Sequence, residues 1–399
     1  MLRFIHASDL HLGNSGPGIV GLSKQWTERI SNASYVAFEN LINYALEANV
    51  DFLLLAGDVL DTSIPTLKSQ LELYKGLSRL TQEGIKVFMV GGNHDPLNLK
   101  KAKNSLPEGV YLFDKEPQTI PFVKDGITLA EITGISYPVS KVSDDLSVLL
   151  KPGNKGFQIA LLHTNVVGYG KEDNYAPSDL DKLIKSGFDY WALGHVHTNM
   201  VLNKKPYVVY SGTTQGQHIN ETGPKGFYLV EVDKDVKMEF VQTSLYCFEK
   251  LQVPAPESLD ELDKIFGELN KKEVEQPSIY RVIVEGRTPL YDQLKEEVLE
   301  LEERFKEGIN YALESLVLEI LPDIDYETIK QEDSLPGEFI REAEKMIAEG
   351  YNDEIKEVLD PLYSRYGNIV DVFSKEELES ILRASIARGL DLFWRGDKS

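Results

Sequence analysis

Five short motifs along the chain carry side chains that could bind metal and move protons. Asp9 and His11 form D-x-H; Asp58 and Asp61 lie in GDVLD; Asn93, His94 and Asp95 lie in GNHD. His163 closes the apolar run IALLH, and His195 and His197 stand one residue apart in GHVH. Singly, each motif is weak, because a turn or a helix cap explains D-x-H or G-D-x-x-D about as well as a metal does. Together, in this order, they place five of the seven histidines beside Asp, Asn or Gly at the ends of apolar runs. Carboxylate, imidazole and amide donors without thiolate suit two divalent ions, manganese first and iron or zinc next, rather than a closed structural zinc site. Two ions ~3.5–4 Å apart need a shared anionic ligand, activate a water, and stabilise both the attacking and the leaving oxygen of an in-line phosphoryl displacement. Phosphoester hydrolysis is the expected chemistry.

Such motifs need a scaffold that delivers them to one place. LRFIHAS, AFENLINYALEA, DFLLLAG, LELYKGLSRLTQEG and KVFMVGG alternate short apolar runs with helical patterns, the βαβ rhythm of an α/β domain. Further strands are expected at ITLAEITGISY, FQIALLHT, YWALGHV, YVVYSG and GFYLVEV, with SDLDKLIKSG as a helix between them. This predicts two sheets packed face to face with helices outside, a four-layer α/β/β/α sandwich over residues 1–250. The motifs then fall at the carboxyl ends of strands, where open α/β sheets place functional residues. The Pro-containing LQVPAPE reads as a connection out of this domain. Residues 251–325 are expected to form a small α+β module, strand IYRVIVEG, a single helix LYDQLKEEVLELEERFKEG and strand ESLVLEIL, and residues 326–399 a mostly helical region. No G-x-x-x-x-G-K-[ST] loop is present, so the chain carries no nucleotide-driven motor of that type.

With 399 residues and 42% hydrophobic content, the chain can bury a large core and hold two or three domains. The start MLRFIHASDLHLG has neither a basic leader nor a long apolar span, so a cytoplasmic location without membrane insertion is expected. The single cysteine, Cys247, excludes an internal disulfide and reads as a passive, part-buried residue. A net charge of −22 argues against wrapping nucleic acid by charge alone. Residues 251–399, however, hold 36 of the 64 acidic and 18 of the 42 basic side chains, and so −18 of that −22. The amino-terminal part is nearly neutral, and divalent cations there would present a locally positive surface to phosphate.

DLH, GDVLD, GNHD, LLH and GHVH, in this order over residues 1–245, resemble the calcineurin-like metallophosphoesterase superfamily. The resemblance implies that Asp9, His11 and His197 hold one metal, that Asn93, His163 and His195 hold the other, and that Asp58 bridges them. It also implies that His94 faces the scissile phosphate, protonating the leaving oxygen or stabilising charge, with Asp95 orienting its ring; Asp61 supports the ligands. Three long stretches, SNASYVAFENLINYALEANVDFLLLAGDVLD, NYAPSDLDKLIKSGFDYWALGHVH and YVVYSGTTQGQHINETGPKGFYLVEVD, resemble the DNA-repair exonuclease branch, especially the bacterial YhaO-like group related to the SbcD nuclease subunit.

From that branch follow further expectations. DNA is the substrate, in repair or recombination. The segment SGTTQGQHINETGPKGF lies near the metals, with Gln215, Gln217, His218 and Asn220 as candidates to contact phosphate or base. RVIVEGRTPLYDQLKEE opens a capping domain, and a C-terminal helix, SKEELESILRASIARG with Ser374 and Glu377 in capping-box spacing, docks on an SbcC-type coiled-coil ATPase or packs on its own domain. A homodimer is expected from the same resemblance. Lys100, Lys101, Lys103, Lys204 and Lys205 are candidates for the DNA backbone. Two alternatives stand beside this reading: a small-nucleotide phosphodiesterase or phosphatase, and a non-catalytic DNA-docking assembly subunit whose metals serve structure.

Overall fold

The computed structural model describes residues 1–61, 65–95, 106–169, 175–271, 276–323 and 326–349, with Ile386, Gly389 and Leu390. Two six-stranded sheets form the scaffold of the first 250 residues. One contains β1 (Leu2–Ala7), β2 (Phe52–Ala56), β3 (Lys86–Val90) and β4 (Val110–Leu112), all parallel, extended antiparallel by β11 (Gly226–Val232) and β12 (Val236–Gln242) in the order β12-β11-β1-β2-β3-β4. The other runs β5-β6-β7-β8-β10-β9, with β6 (Ile127–Ile135), β7 (Phe157–His163), β8 (Tyr190–Gly194) and β10 (Tyr207–Tyr210) parallel and β5 (Gln118–Lys124) and β9 (Met200–Lys204) antiparallel at the edges.

Alternation within single strands shows why two layers of core form. Phe4, Phe52, Leu54 and Phe88 point toward Ile132, Ile159, Leu161 and Tyr190 of the other sheet, while Ile5, Leu53, Leu55 and Val87 point the opposite way, onto helices. Those helices are α1 (Lys24–Glu47), capped by the Ser23 hydroxyl, and α2 (Leu67–Gln82), capped by Thr66. Phe38, Leu41, Ile42 and Ala45 of α1 and Leu73, Leu77 and Leu80 of α2 recur at helical spacing and fill that outer layer. The far face of the second sheet is covered at Leu162, Trp191 and Leu193 by Leu146, Leu150 and Leu183, the last on the short helix α3 (Leu180–Lys185). The expected two-sheet sandwich is present, with fewer covering helices on this side.

His6 lies wholly inside and ties the sheets together. Its Nε2 donates to the Leu193 carbonyl at 3.1 Å, so its Nδ1 accepts from the Tyr190 hydroxyl at 3.0 Å. Burial pushes its pKa from 6.5 down to about 3, the Leu193 bond opposing only in part. The unfolded chain therefore takes up a proton at this residue below pH 6.5, and the folded core does not until about pH 3. Stability from this group is complete above that window and is lost as pH falls through it, by at most about 1.4 kcal/mol per pH unit. His6→Gln should flatten the fall in melting temperature between neutral pH and about pH 4.5. An unchanged acid slope in the variant would show that other groups govern it.

Further along, α4 (Leu259–Lys271), α5 (Tyr291–Glu296), α6 (Val298–Arg304), α7 (Tyr326–Gln331) and α8 (Leu335–Glu349) accompany a third sheet of β13 (Cys247–Pro254), β14 (Ser278–Thr288) and β15 (Tyr311–Pro322), in the order β13-β14-β15. The single helix expected from LYDQLKEEVLELEERFKEG is broken at Glu297 into α5 and α6, and neither proline nor glycine explains the break. By its contacts the chain divides into one unit of Met1–Leu251, Phe266–Val282 and Leu301–Leu316 and another of Gln252–Ile265, Ile283–Glu300 and Val317–Ser399. Within the first, Ile279 and Ala312 pack with Trp26, Ile30, Tyr246 and Phe248. Within the second, Ile386 and Leu390 pack on Ile340 of α8. The remainder of the expected C-terminal helix, including Ser374 and Glu377, lies outside the described residues, as do Lys100, Lys101 and Lys103. Among the described residues no helix is long and apolar enough to cross a membrane.

Candidate metal centre

The carboxyl ends of five parallel strands deliver the motif residues to one place. Asp9 and His11 follow β1, Asp58 follows β2, and Asn93 and His94 follow β3; His163 ends β7, and His195 and His197 follow β8. Beyond β1 and β2 the two chains stay paired, with Asp9 N–H to Gly57 O, His11 N–H to Asp58 O and Leu12 N–H to Val59 O, each at 3.0 Å. Asp9, His11, Asp58 and His195 have φ of 51°, 43°, 48° and 101°, the left-handed region that L residues with a Cβ rarely occupy. Such backbone persists where the surrounding bonds hold it, as the donation of His195 N–H to both Asp9 oxygens at 3.1 Å does here. Two glycines make the approach possible. A Cβ at Gly57, itself at φ 93°, would stand 2.4 Å from His163 Nδ1, and one at Gly194 would stand 2.0 Å from the Ala56 carbonyl oxygen.

Three overlapping groups result, Asp9 with His11 and His197, His11 with Asp58 and His94, and Asp9 with Asp58 and His163, each with ligand atoms within 4.8 Å of one another. Asn93 Oδ1 sits 3.0 Å from His163 Nε2, and the His195 ring centre lies 5.2 Å from that of His163. Hydrogen-bond chemistry indicates what these groups fit. His11 Nδ1 lies 3.1 Å from Asp61 Oδ1 and His197 Nδ1 lies 2.6 Å from Glu221 Oε1, so both rings carry their proton on Nδ1. Their Nε2 atoms then meet at 3.2 Å as two lone pairs. His163 repeats the pattern, donating Nδ1–H to the Ala56 carbonyl at 2.9 Å while Nε2 faces Asn93 Oδ1 and, at 3.4 Å, Asp58 Oδ2. Lone pairs converging on lone pairs call for a cation between them, and the donor set suits divalent ions.

The electrostatics agree. Burial alone would depress His163, but the Asp58 charge and the ring's hydrogen bond to it override this and hold the imidazole up at about 9, so that the two acceptors in front of Nε2 draw a proton to the place a cation would fill. Burial alone would raise Asp58, yet His163, with smaller help from His11 and His94, holds that carboxyl well below the usual range. For Asp61, burial is likewise outweighed by the bonds from His11 and Asn14, which keep its carboxyl low. This pocket attracts positive charge.

His94 is exposed at the mouth, its ring centre 4.8 Å from that of His11. Its ring is held by the Asp61 backbone, with Nδ1 donating to that carbonyl at 2.8 Å, and its N–H is bound by Asp58 Oδ1 at 2.9 Å. The expectation that Asp95 orients His94 does not hold. Asp95 is buried with both oxygens occupied by the backbone N–H groups of Val59, Leu60 and Gly92, at 2.8 to 3.1 Å, so it knits the β2 and β3 loops together. Burial, then repulsion from Asp58, pushes its pKa up to about 6, and the backbone donors oppose this.

Gln215 is buried as well. Its amide is spent on the Gly216 and Tyr246 carbonyls and the Leu245 N–H, so this side chain is not presented to a substrate. Gln217 accepts from Asn14 at 3.0 Å, whereas His218 and Asn220 are exposed, Asn220 accepting from Lys250 at 2.8 Å. Lys204 ends β9 and Lys205 lies in the turn that enters β10, at the end of the strands opposite the metal-facing end. Sequence reading missed Glu221 and Asn14. Glu221 stands 24 residues beyond His197, where no spacing rule connects a carboxylate to that ring. Burial alone would raise its carboxyl, but the bonds from His197 and Gln217 outweigh this and hold it below the ordinary range.

Comparison with known proteins agrees with this geometry. Residues 2–199 match the calcineurin-like phosphoesterase family. The Bacillus subtilis (strain 168) protein called uncharacterized metallophosphoesterase YhaO is 37% identical over 298 residues, covering 72% of each chain. The chain belongs to the calcineurin-like phosphoesterase family. As a calcineurin-like phosphoesterase it is a metal-dependent hydrolase, of a family that uses a dimetal centre. More distant relatives include two proteins called DNA double-strand break repair protein Mre11. The one from Saccharolobus solfataricus is 28% identical over 323 residues, 75% of this chain and 80% of that one. The one from Methanocaldococcus jannaschii is 25% identical over 398 residues, 91% and 99% of the two chains.

Proposed function

We propose that this phosphoesterase is a two-metal phosphodiesterase that hydrolyses DNA, as an exonuclease or endonuclease in repair or recombination. The observation that carries the metal chemistry is the meeting of His11 Nε2 and His197 Nε2 at 3.2 Å while both Nδ1 atoms are engaged by carboxylates. Asp9, His11 and His197 would hold one ion, Asn93, His163 and His195 the other, and Asp58 would be shared. Manganese is the ion proposed. When bound, the pair would supply Lewis acidity and a nucleophilic water at neutral pH.

The chain's own groups do the rest. His94, with Nδ1 anchored on the Asp61 carbonyl, keeps Nε2 on the solvent side, where it can hold the proton that the leaving oxygen needs. Gln217, His218 and Asn220 are the candidates to steer the strand. DNA as the substrate is favoured by the two repair-protein relatives, which extend over most of the chain. From the resemblance to the SbcD-related branch we also propose an SbcC-type coiled-coil ATPase as partner, a homodimer, residues 251–325 as a capping domain and the helical region 326–399 as a partner-docking segment; the cytoplasm is the proposed location.

The test is cleavage of end-labelled single- and double-stranded DNA by the purified chain with manganese, magnesium or chelator, beside a chromogenic phosphodiester. Manganese-dependent DNA cleavage that chelator abolishes is the expected result. Rapid turnover of mononucleotide esters with DNA left whole, even when the ATPase is added, would replace the DNA reading with a small-nucleotide one.

A further inference from the structure

Glu221 belongs to none of the motifs that mark the site, yet both of its oxygens are committed to it. Oε1 accepts from His197 Nδ1 at 2.6 Å and faces His218 Nε2 at 3.1 Å; Oε2 accepts the Gln217 N–H at 2.7 Å. The side chain is 6% exposed, so these bonds compete little with water. Across the site Asp61 holds His11 in the same way, and the Asn14 amide joins the two halves, donating to Asp61 Oδ1 at 3.1 Å and to Gln217 Oε1 at 3.0 Å.

We propose that Glu221 is a positioning residue for metal binding: by taking the Nδ1 proton of His197 it fixes the tautomer and ring angle that turn Nε2 toward His11 and the cation site. A short, charge-assisted bond to a buried carboxylate also makes the opposite nitrogen a better donor to a metal. The same carboxylate helps to organise the Gln217–Glu221 turn by accepting the Gln217 N–H, and the backbone closes that turn with the Glu221 N–H to His218 O bond at 2.9 Å. Occupancy of the cation site is thereby tied to the segment that would meet the substrate. The inference rests on the two-metal reading and adds to it a residue outside the ligand set.

The alternative is that Glu221 merely folds its turn, and the experiment separates the two. Manganese binding to the chelator-stripped full chain would be titrated by calorimetry for the wild type, Glu221→Ala, Glu221→Gln and His218→Ala, with the metal-free melting temperature of each. The wild type should bind two ions. Glu221→Ala should lose about 10- to 100-fold in affinity for one of them and leave the other unchanged. Glu221→Gln, whose amide oxygen still accepts from His197, should fall between, and His218→Ala should bind as the wild type does.

If both Glu221 variants bind two ions within about threefold of the wild type, where a loss of this order is expected, the inference is overturned. It is equally overturned if His218→Ala loses as much as Glu221→Ala, because the carboxylate then acts through the turn rather than through His197. Should Glu221→Ala melt too low to titrate, Glu221→Gln decides alone. Absence of manganese binding by the wild type would instead remove the two-metal reading itself.

Discussion

Asp58→Asn is expected to lower phosphodiester hydrolysis about a thousandfold or more and to weaken manganese binding at both sites. Asp58 Oδ2 lies 3.4 Å from His163 Nε2 and 4.0 Å from His11 Nε2, so this oxygen reaches both halves of the site. Its carboxyl stays ionised despite near-complete burial because His163 faces it, which makes it the anionic centre of the cluster. Asparagine keeps the shape and can still accept the His94 N–H through Oδ1, a bond now 2.9 Å long, so the β2 loop should keep its path. What is lost is the charge. Several kcal/mol of metal-borne transition-state stabilisation depend on holding two cations close together, and about 4 kcal/mol corresponds to roughly a thousandfold in rate. Calorimetric manganese titration and steady-state turnover of a chromogenic diester check this together. Two tightly bound ions with turnover within about tenfold of the wild type would mean that Asp58 is not the shared ligand.

His94→Gln should behave differently, with kcat about 10²- to 10⁴-fold lower and both ions retained. The ring is exposed at the mouth, and its anchor is a backbone carbonyl, that of Asp61, rather than a buried partner. Removing it would take away the proposed proton carrier and leave Asp9, His163 and His197 in place. Glutamine can still hydrogen-bond but cannot hand over a proton at neutral pH. Measuring kcat and manganese stoichiometry on the same preparation separates this outcome from that of Asp58→Asn. Turnover that survives intact in the variant would sink the proton-carrier role. A non-catalytic assembly role for the whole site predicts that same survival, accompanied by undiminished DNA binding.

Much of this site was legible because its candidate ligands sit where strands stop. The apolar runs LRFIHA, FLLLA, KVFMV, FQIALLH and YWALG each end on or just before a motif residue, and all five became strands of parallel ladders. A parallel arrangement brings the carboxyl ends to one edge of each sheet, and face-to-face packing sets the two edges side by side, so the donor types and their order along the chain already pointed to a shared centre. The helical spacing of Phe38, Leu41, Ile42 and Ala45 was readable for the same local reason.

The supporting contacts were not readable, since each depends on a meeting of residues far apart in the chain. His11 and His197 are 186 positions apart and share one space; Asn14 and Gln217, 203 positions apart, bridge the carboxylates that hold them. Sequence neighbours misled in two places. Asp95 follows His94 but turns inward to three backbone N–H groups, and Gln215 lies in the expected substrate segment but serves the backbone around Leu245 and Tyr246. The sequence by itself determined the donor atoms, their placement at strand ends and the reaction class they suit. Only the tertiary structure decided which carboxylate holds which imidazole, because that choice is made by side-chain direction and burial across two sheets and by the left-handed backbone at Asp9, His11, Asp58 and His195.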